Sequence, residues 1–272
     1  MLKKLLKTSF TIAMTAMMVG SVWASSTVKP AKDIDFSFEG PFGKFNKAQL
    51  QRGFQVYKEV CSACHSLNYV SYRELAEPTG PAYSMAEVEA IAAGYQIQDK
   101  DPNESGEMFM RPAKPSDKFV PPFANPQAAI AANGAYPPDL SLLTKARAGW
   151  TGTFKQLFYG MGGAEYVYSV LTGYTTPPKD AVGPEGKHYN EYFVAGPWIT
   201  MPAPLMDDAV TYADGTKATV DQMARDVSAF LAWTAEPRMV ERKQTGFRVM
   251  LFLSIFAVLL FASYKVLWRN VK

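Results

Sequence analysis

Two cysteines occur in the 272 residues, three apart, and a histidine follows the second directly: Cys61-Ser-Ala-Cys64-His65. Thiols one helical turn apart can reach the two vinyl groups of a porphyrin and form thioethers. The next residue then projects its imidazole beneath the iron, and Cys-x-x-Cys-His is the attachment signature of c-type haem. The expected cofactor is therefore one covalent haem c on Cys61 and Cys64, with His65 as an iron ligand. Other uses of the pattern fit less well. A redox dithiol expects a thioredoxin-like βαβ context, which is not readable here. A structural zinc site needs four ligands, and Cys61, Cys64, His65 and His188 are every Cys and His in the chain. A plain disulfide leaves His65 unexplained.

The opposite face of the iron needs a second ligand, and methionine is the natural candidate. Met201 lies in Pro197-Trp-Ile-Thr-Met-Pro-Ala-Pro204, where prolines on both sides stiffen the loop and remove backbone donors. A stiff loop holds a weak thioether at small entropic cost. Met206 competes with it, and His188 would make a bis-imidazole site. Met223 falls on the apolar stripe of a helix and reads as core. His/Met ligation stabilises ferrous over ferric iron and raises the potential, and burial acts in the same direction. Six filled positions leave no substrate site, which describes an electron carrier rather than a bond-making enzyme.

These residues must be positioned by a mostly helical domain. Asn46 with Gln49, and Thr219 with Gln222, resemble capping boxes. The first opens a helix to about Val60 with Leu50, Phe54 and Tyr57 at helical spacing. The second carries Val220, Met223, Val227, Phe230 and Leu231 until Pro237 stops it. Shorter helices are expected near 84–93, 126–133 and 153–171. Ten prolines between Pro78 and Pro138 make the middle loop-rich, so it needs something large to wrap around. No internal repeat and little β alternation are visible.

The two ends have other work. Lys3, Lys4 and Lys7 precede an apolar run from Phe10 to Val19, and Val22 and Ala24 are small residues where a signal peptidase cuts. Residues 1–24 read as a cleaved signal peptide. Val249 to Tyr264 contains no charge, and with its flanks reaches the roughly 20 residues that cross a bilayer. Arg248 and Lys265 can snorkel from its ends, and Tyr264 and Trp268 suit the interface. The expected domains are the signal over 1–24, an exported haem domain over 25–240, and a membrane anchor with a short cytoplasmic tail over 241–272. Residues 25–240 hold 19 Lys and Arg against 24 Asp and Glu, a balance of 19 − 24 = −5. That excludes a basic nucleic-acid-binding module and suits a cationic partner.

Several segments together resemble the cytochrome c1 family, the membrane-anchored haem subunits of ubiquinol–cytochrome c reductase (the cytochrome bc1 complex). They are Gly53-Phe-Gln-Val-Tyr-Lys-Glu-Val-Cys-Ser-Ala-Cys-His65, Ala132-Asn-Gly-Ala-Tyr-Pro-Pro-Asp-Leu-Ser141, Tyr166 to Tyr174, Met201-Pro-Ala-Pro-Leu205, and Asp214 to Met223 running on to Pro237. The resemblance implies an all-α, class I c-type cytochrome-like haem domain with long Pro-rich loops, plus one C-terminal transmembrane helix. It implies iron held by His65 and Met201, with the haem joined to Cys61 and Cys64. It implies cytochrome b and Rieske iron–sulfur protein as partner subunits, and an electron route from the Rieske protein to a soluble or anchored cytochrome c. It also implies a bacterial inner membrane, crossed once, with the haem domain periplasmic. A free-standing anchored cytochrome that shuttles electrons between other redox enzymes is the alternative function.

Arg111 matches a family arginine near a haem propionate, with a solvated surface arginine as the alternative; Pro137 and Pro138 would line the haem face or turn the chain. Some bacterial relatives carry an extra cysteine pair ahead of the methionine. Here both cysteines are used, so packing alone is expected to hold that loop. Asp99, Asp101, Glu104 and Glu107 form the densest acidic cluster, either a docking patch for a basic cytochrome or a solvated loop.

Overall fold

The computed structural model describes residues 28–149, 158, 160 and 162–271; the expected signal over 1–24 lies outside them. In chain order the helices are α1 (Lys47–Glu59), α2 (Met85–Ala93), α3 (Pro126–Asn133), α4 (Leu143–Ala146), α5 (Gly163–Leu171), α6 (Val220–Ala235) and α7 (Met239–Leu267). Two 3-10 turns, Cys61–Ala63 and Tyr72–Ala76, follow α1. Two antiparallel ribbons complete the described elements: β1 (Gln96–Gln98) with β2 (Met110–Pro112), and β3 (His188–Tyr189) with β4 (Trp198–Ile199). The domain is all-α apart from these ribbons.

Side-chain caps explain most of the starts. Asn46 Oδ1 accepts from the Gln49 N–H at 3.2 Å and opens α1. Thr219 Oγ1 accepts from the Gln222 N–H at 3.2 Å and opens α6, while the Gln222 amide turns forward to Asp226 at 3.0 Å instead of closing the box. Ser84 and Glu87 make the full reciprocal box of α2. Asn125 caps α3 with Pro126 at its first position, and Gly134, at φ +69°, ends it in the left-handed conformation that favours glycine. The helix expected over 153–171 is described as Gly163–Leu171; residues 153–157, 159 and 161 lie outside the described set.

The core forms where α1 lies against α6. Leu50, Phe54 and Tyr57 share one side of α1 because they are three to four residues apart, and they meet Met223, Val227 and Phe230, all buried. The rings of Phe54 and Phe230 are 5.7 Å apart, and Phe119 from the loop region stacks on Tyr72 at 4.4 Å. The Pro-rich middle therefore wraps this helix pair. Gly53 is the point of closest approach. A Cβ there would lie 2.1 Å from the Asp226 carbonyl oxygen. Next to it, Arg52 donates to the fully buried Asp226 at 2.9 Å and to Asp214 at 2.7 Å, which satisfies a carboxylate that would otherwise be costly to bury.

After Pro237, α7 begins. Met239 and Val240 are still in the domain core, Lys243 is half-buried, and the rest of the helix is exposed. At 29 residues and a mean hydropathy of 2.2 over its apolar window, it is the one described helix long and apolar enough to cross a membrane. It fits a single-pass anchor.

Replacing Gly53 by Ala should destabilise the domain by about 2 kcal/mol or more, because the overlap is with backbone and cannot be relieved by a rotamer change. Denaturant unfolding of the variant would show it; a neutral or stabilising alanine would mean that α1 and α6 can separate freely.

Candidate functional site

Helix α1 delivers the chain directly into the turn that carries the two thiols. The Cys64 and His65 N–H groups both donate to the Cys61 carbonyl, at 3.1 and 2.9 Å. This compact turn puts the three functional side chains on consecutive bends of one short segment. Tyr57, one turn back in α1, donates from its hydroxyl to the His65 carbonyl at 3.1 Å and ties the turn to the core.

The imidazole of His65 is oriented from far along the chain. Its Nδ1 lies 2.8 Å from the Pro138 carbonyl oxygen. A carbonyl only accepts, so Nδ1 carries the proton and the Nε2 lone pair is left for a metal. Burial holds the histidine below its ordinary pKa, outweighing the opposing effects of that hydrogen bond and of Asp139. Both effects yield the neutral, ligating tautomer.

Asp139 holds the Pro138 carbonyl in place. Its carboxylate accepts from the Ser66 hydroxyl at 2.8 Å, the Asn68 N–H at 2.7 Å and the Ser141 N–H at 2.9 Å. The Leu140 N–H donates to the Ser66 carbonyl at 2.9 Å. Residues 137–141 are thus laced onto residues 66–69. Sequence reasoning quoted Asp139 within a resembling segment and assigned it no role. The available signal was an Asp two residues before a Ser, after two prolines, which is the pattern of an Asx turn.

The thiols suit a thioether linkage better than redox exchange. Both are free and half-buried. Burial, followed by the neighbouring Cys64, pushes the Cys61 thiol up to about 12, opposite to the lowered values of exchanging dithiols. Cys64 Sγ lies 3.4 Å from Asn133 Oδ1 of α3. A cavity of about 190 Å³ opens beside Cys64, walled by Pro121, Pro122, Tyr136 and Pro137. Prolines there offer no N–H, while Ser66, Asn68 and Asn125 give other parts of the wall polar side chains. Among the described residues no group of three His, Cys, Asp or Glu could hold a bare ion, which removes the zinc reading. The donor set fits a haem: two thiols at the attachment spacing and one imidazole with a free Nε2.

The loop bearing Met201 comes to the same region. A Cβ placed on Gly134 would be 3.8 Å from Thr200 Cγ2, so the residue before Met201 packs beside the segment that leads to Pro138. Met201 is half-buried, and its carbonyl accepts from the Tyr174 hydroxyl at 3.0 Å. Met206 is 69% exposed, His188 sits exposed on β3 opposite Ile199, and Met223 is fully buried in the core. The expectation that packing alone holds the methionine loop is corrected. Asn190, fully buried, donates from its amide to the Val170 carbonyl at 2.8 Å and from its backbone to the Pro197 carbonyl at 2.8 Å. Its side-chain oxygen accepts from the Tyr192 N–H at 3.0 Å. A lone loop asparagine carries no sequence signal of such a role.

Arg111 is not a solvated surface residue. Its side chain is 16% exposed and clamped between Asp99 at 2.6 Å and Asp117 at 2.6 and 3.2 Å, with a further bond to the Pro112 carbonyl. One of its five N–H groups has no partner among the described residues, so any propionate contact would fall to that hydrogen. Asp99 is therefore paired with Arg111, and the part of the acidic cluster with no such partner among the described residues is Asp101, Glu104 and Glu107, all exposed.

A helical domain with a Cys-x-x-Cys-His turn, an oriented imidazole and one apolar C-terminal helix is a membrane-anchored c-type cytochrome. The model of the Cytochrome C1 family matches residues 36–271, and the chain belongs to that family. It is 44% identical to cytochrome c1 of Cereibacter sphaeroides, over 98% of this chain and 96% of the relative. It is 43% identical to cytochrome c1 of Rhodobacter capsulatus, over 96% of each. A Bradyrhizobium diazoefficiens protein named cytochrome b/c1 is 52% identical over 86% of this chain, which spans only 35% of that relative. The family carries covalent haem c, and Cys61, Cys64 and His65 stand in the motif that takes it.

The Arg111 clamp has a pH signature. Its guanidinium is the largest influence holding Asp117 well below the carboxylate range, at about 2. A depressed carboxylate stabilises the fold above its unfolded value near 4 and loses that contribution as pH falls through the folded one. Asp117→Asn should lower the denaturation midpoint at pH 7, and the gap from wild type should close between about pH 4 and pH 2. A gap independent of pH would show that the ion pair is not its source.

Proposed function

We propose that this chain is the electron-transfer subunit of a quinol–cytochrome c oxidoreductase of the bc1 type, taking one electron at a time from a Rieske iron–sulfur protein and passing it to cytochrome c. Cytochrome b and the Rieske protein are its partner subunits, and the chain itself is a carrier with no substrate site of its own. The signal over 1–24 exports the domain, so the haem faces the periplasm of a bacterial inner membrane and the tail after α7 stays inside.

His65 and Met201 would hold the iron, and Cys61 and Cys64 would bond to the porphyrin. Bound there, haem c supplies a one-electron couple whose ferrous form the thioether favours. The chain does the rest. Pro138 and Asp139 hold the imidazole in one tautomer. The Tyr174 hydroxyl and the Asn190 network hold the methionine loop. Pro121, Pro122 and Pro137 wall part of the cavity beside Cys64 without offering N–H groups. The observation that carries this reading is the Nδ1 contact to the Pro138 carbonyl, because it leaves Nε2 as a ligand on the very residue that follows the thiols.

Optical and paramagnetic-resonance spectra of Met201→Leu should lose the methionine–iron charge-transfer band, with a large fall in reduction potential. Tyr174→Phe should keep the band and the covalent haem but lower the potential and admit carbon monoxide more readily, since the loop loses its bond to the Met201 carbonyl. Unchanged spectra in Met201→Leu would reassign the ligand to Met206 or His188. Turnover with a basic cytochrome should slow as ionic strength rises, because exposed carboxylates such as Asp101, Glu104 and Glu107 steer the encounter; a flat salt profile would remove electrostatic docking. Extraction in mild detergent should bring down a diheme cytochrome b and a Rieske protein, whereas migration alone would favour the free-standing cytochrome.

A further inference from the structure

A second cavity, of about 340 Å³, lies at the junction of the domain and α7, away from the thiols. It is bounded by the loop Pro41-Phe-Gly-Lys44 and by Val240, Lys243, Gln244, Phe247 and Arg248. Three cations line it and no carboxylate does. The side chains of Lys44 and Arg248 make no hydrogen bond or ion pair among the described residues, and the Lys243 ammonium donates only to the Phe38 carbonyl at 2.6 Å. Two nearby acids, Glu236 and Glu39, favour the charged form of Lys243, but neither lines the cavity. Glu236 is taken by Arg242 at 2.5 Å and Lys145 at 3.7 Å. Glu39 is pushed up to about 8 by burial and by the adjacent Glu165. Glu241 sits in the first turn of α7 and does not line the cavity.

The cavity's depth in the membrane follows from the sequence. Arg248 is the last charge before the charge-free stretch of Val249 to Tyr264, so it stands where headgroups meet hydrocarbon. On the same side Phe42 is 70% exposed, and its ring meets Phe247 edge-on at 5.5 Å. An aromatic side chain this exposed, next to the start of a membrane span, is stable when it lies against lipid. A phosphate group accepts well from a guanidinium and from ammonium groups.

We infer that this cavity binds the phosphate of an anionic phospholipid from the leaflet on the haem-domain side, with Lys44, Lys243 and Arg248 around the headgroup and Phe42 against an acyl chain. Such a lipid neutralises the three cations and wedges between the Pro41–Lys44 loop and α7, fixing the angle at which the domain leaves the membrane. The site is independent of which residue completes the iron coordination.

The test uses the full haem-loaded chain, extracted in mild detergent with its assembly and stripped of exchangeable lipid. Native mass spectrometry then follows retention of added phosphatidylglycerol, phosphatidylcholine or inorganic phosphate. Wild type should hold phosphatidylglycerol in clear preference to phosphatidylcholine, and inorganic phosphate should not displace it. The double change Lys44→Gln with Arg248→Gln should weaken phosphatidylglycerol about tenfold while the haem spectrum stays unchanged. Phe42→Ala, an exposed loop change, should weaken both lipids and serves if the double variant fails to assemble. Equal retention of the two lipids, wild-type retention by the variants, or displacement of phosphatidylglycerol by inorganic phosphate would each overturn the inference.

Discussion

The orientation of one imidazole ring sets the demands on the rest of the domain. The proposed role of His65 needs the tautomer with its proton on Nδ1, and that tautomer is favoured by the carbonyl of Pro138, which is 73 positions away in the chain. Local structure cannot supply such a contact. The loop must be returned to the thiol turn, and Asp139 returns it by accepting three hydrogen bonds from residues 66, 68 and 141. The half-buried carboxylate is well served there because its oxygens accept hydrogen bonds. The same lacing leaves Pro137 facing the cavity beside Cys64, so one short segment both orients the ligand and contributes to the wall.

Behind that segment lies the α1–α6 contact. Helix α1 ends where the thiol turn begins, so a shift of α1 would move both thiols and the imidazole together. Gly53 allows the two backbones to meet, and the Arg52–Asp226 pair fixes their register with charge that is partnered on burial. Tyr57 then extends the stiffness of α1 to the His65 carbonyl. The membrane anchor continues from the same unit, since α7 starts two residues after Pro237 with its first two side chains in the core. The helix that leads into the thiol turn and the apolar C-terminal helix are thereby joined through α6.

The methionine side is built differently. The Met201 loop belongs to a short ribbon held by Asn190 and by Tyr174, not by helix packing or by a disulfide. Hydrogen bonds of this kind are each worth about 1 kcal/mol, so the loop is firm without being locked. The contrast suits the proposed ligation: an imidazole is a strong ligand whose orientation matters, while a thioether is weak and would depend on being held in place by its loop.

Much of this was legible in the residues alone. The thiols and the adjacent histidine are consecutive in sequence, so their spacing declares their chemistry without a fold. The caps at Asn46 and Thr219, the apolar spacing of Leu50, Phe54 and Tyr57, and the charge-free run after Arg248 are local patterns read from neighbours a few positions apart. Three things were not legible, and for one reason. The Pro138 carbonyl on His65, the Asn190 brace under the methionine loop and the double clamp on Arg111 each join residues whose meeting depends on how loops return to the core. The last of these also withdrew Asp99 from the acidic surface. Sequence by itself determined which groups are present and which helices carry them; only tertiary structure decided which carbonyl faces which nitrogen, because loop hydrogen bonds are set by packing and leave no period in the chain.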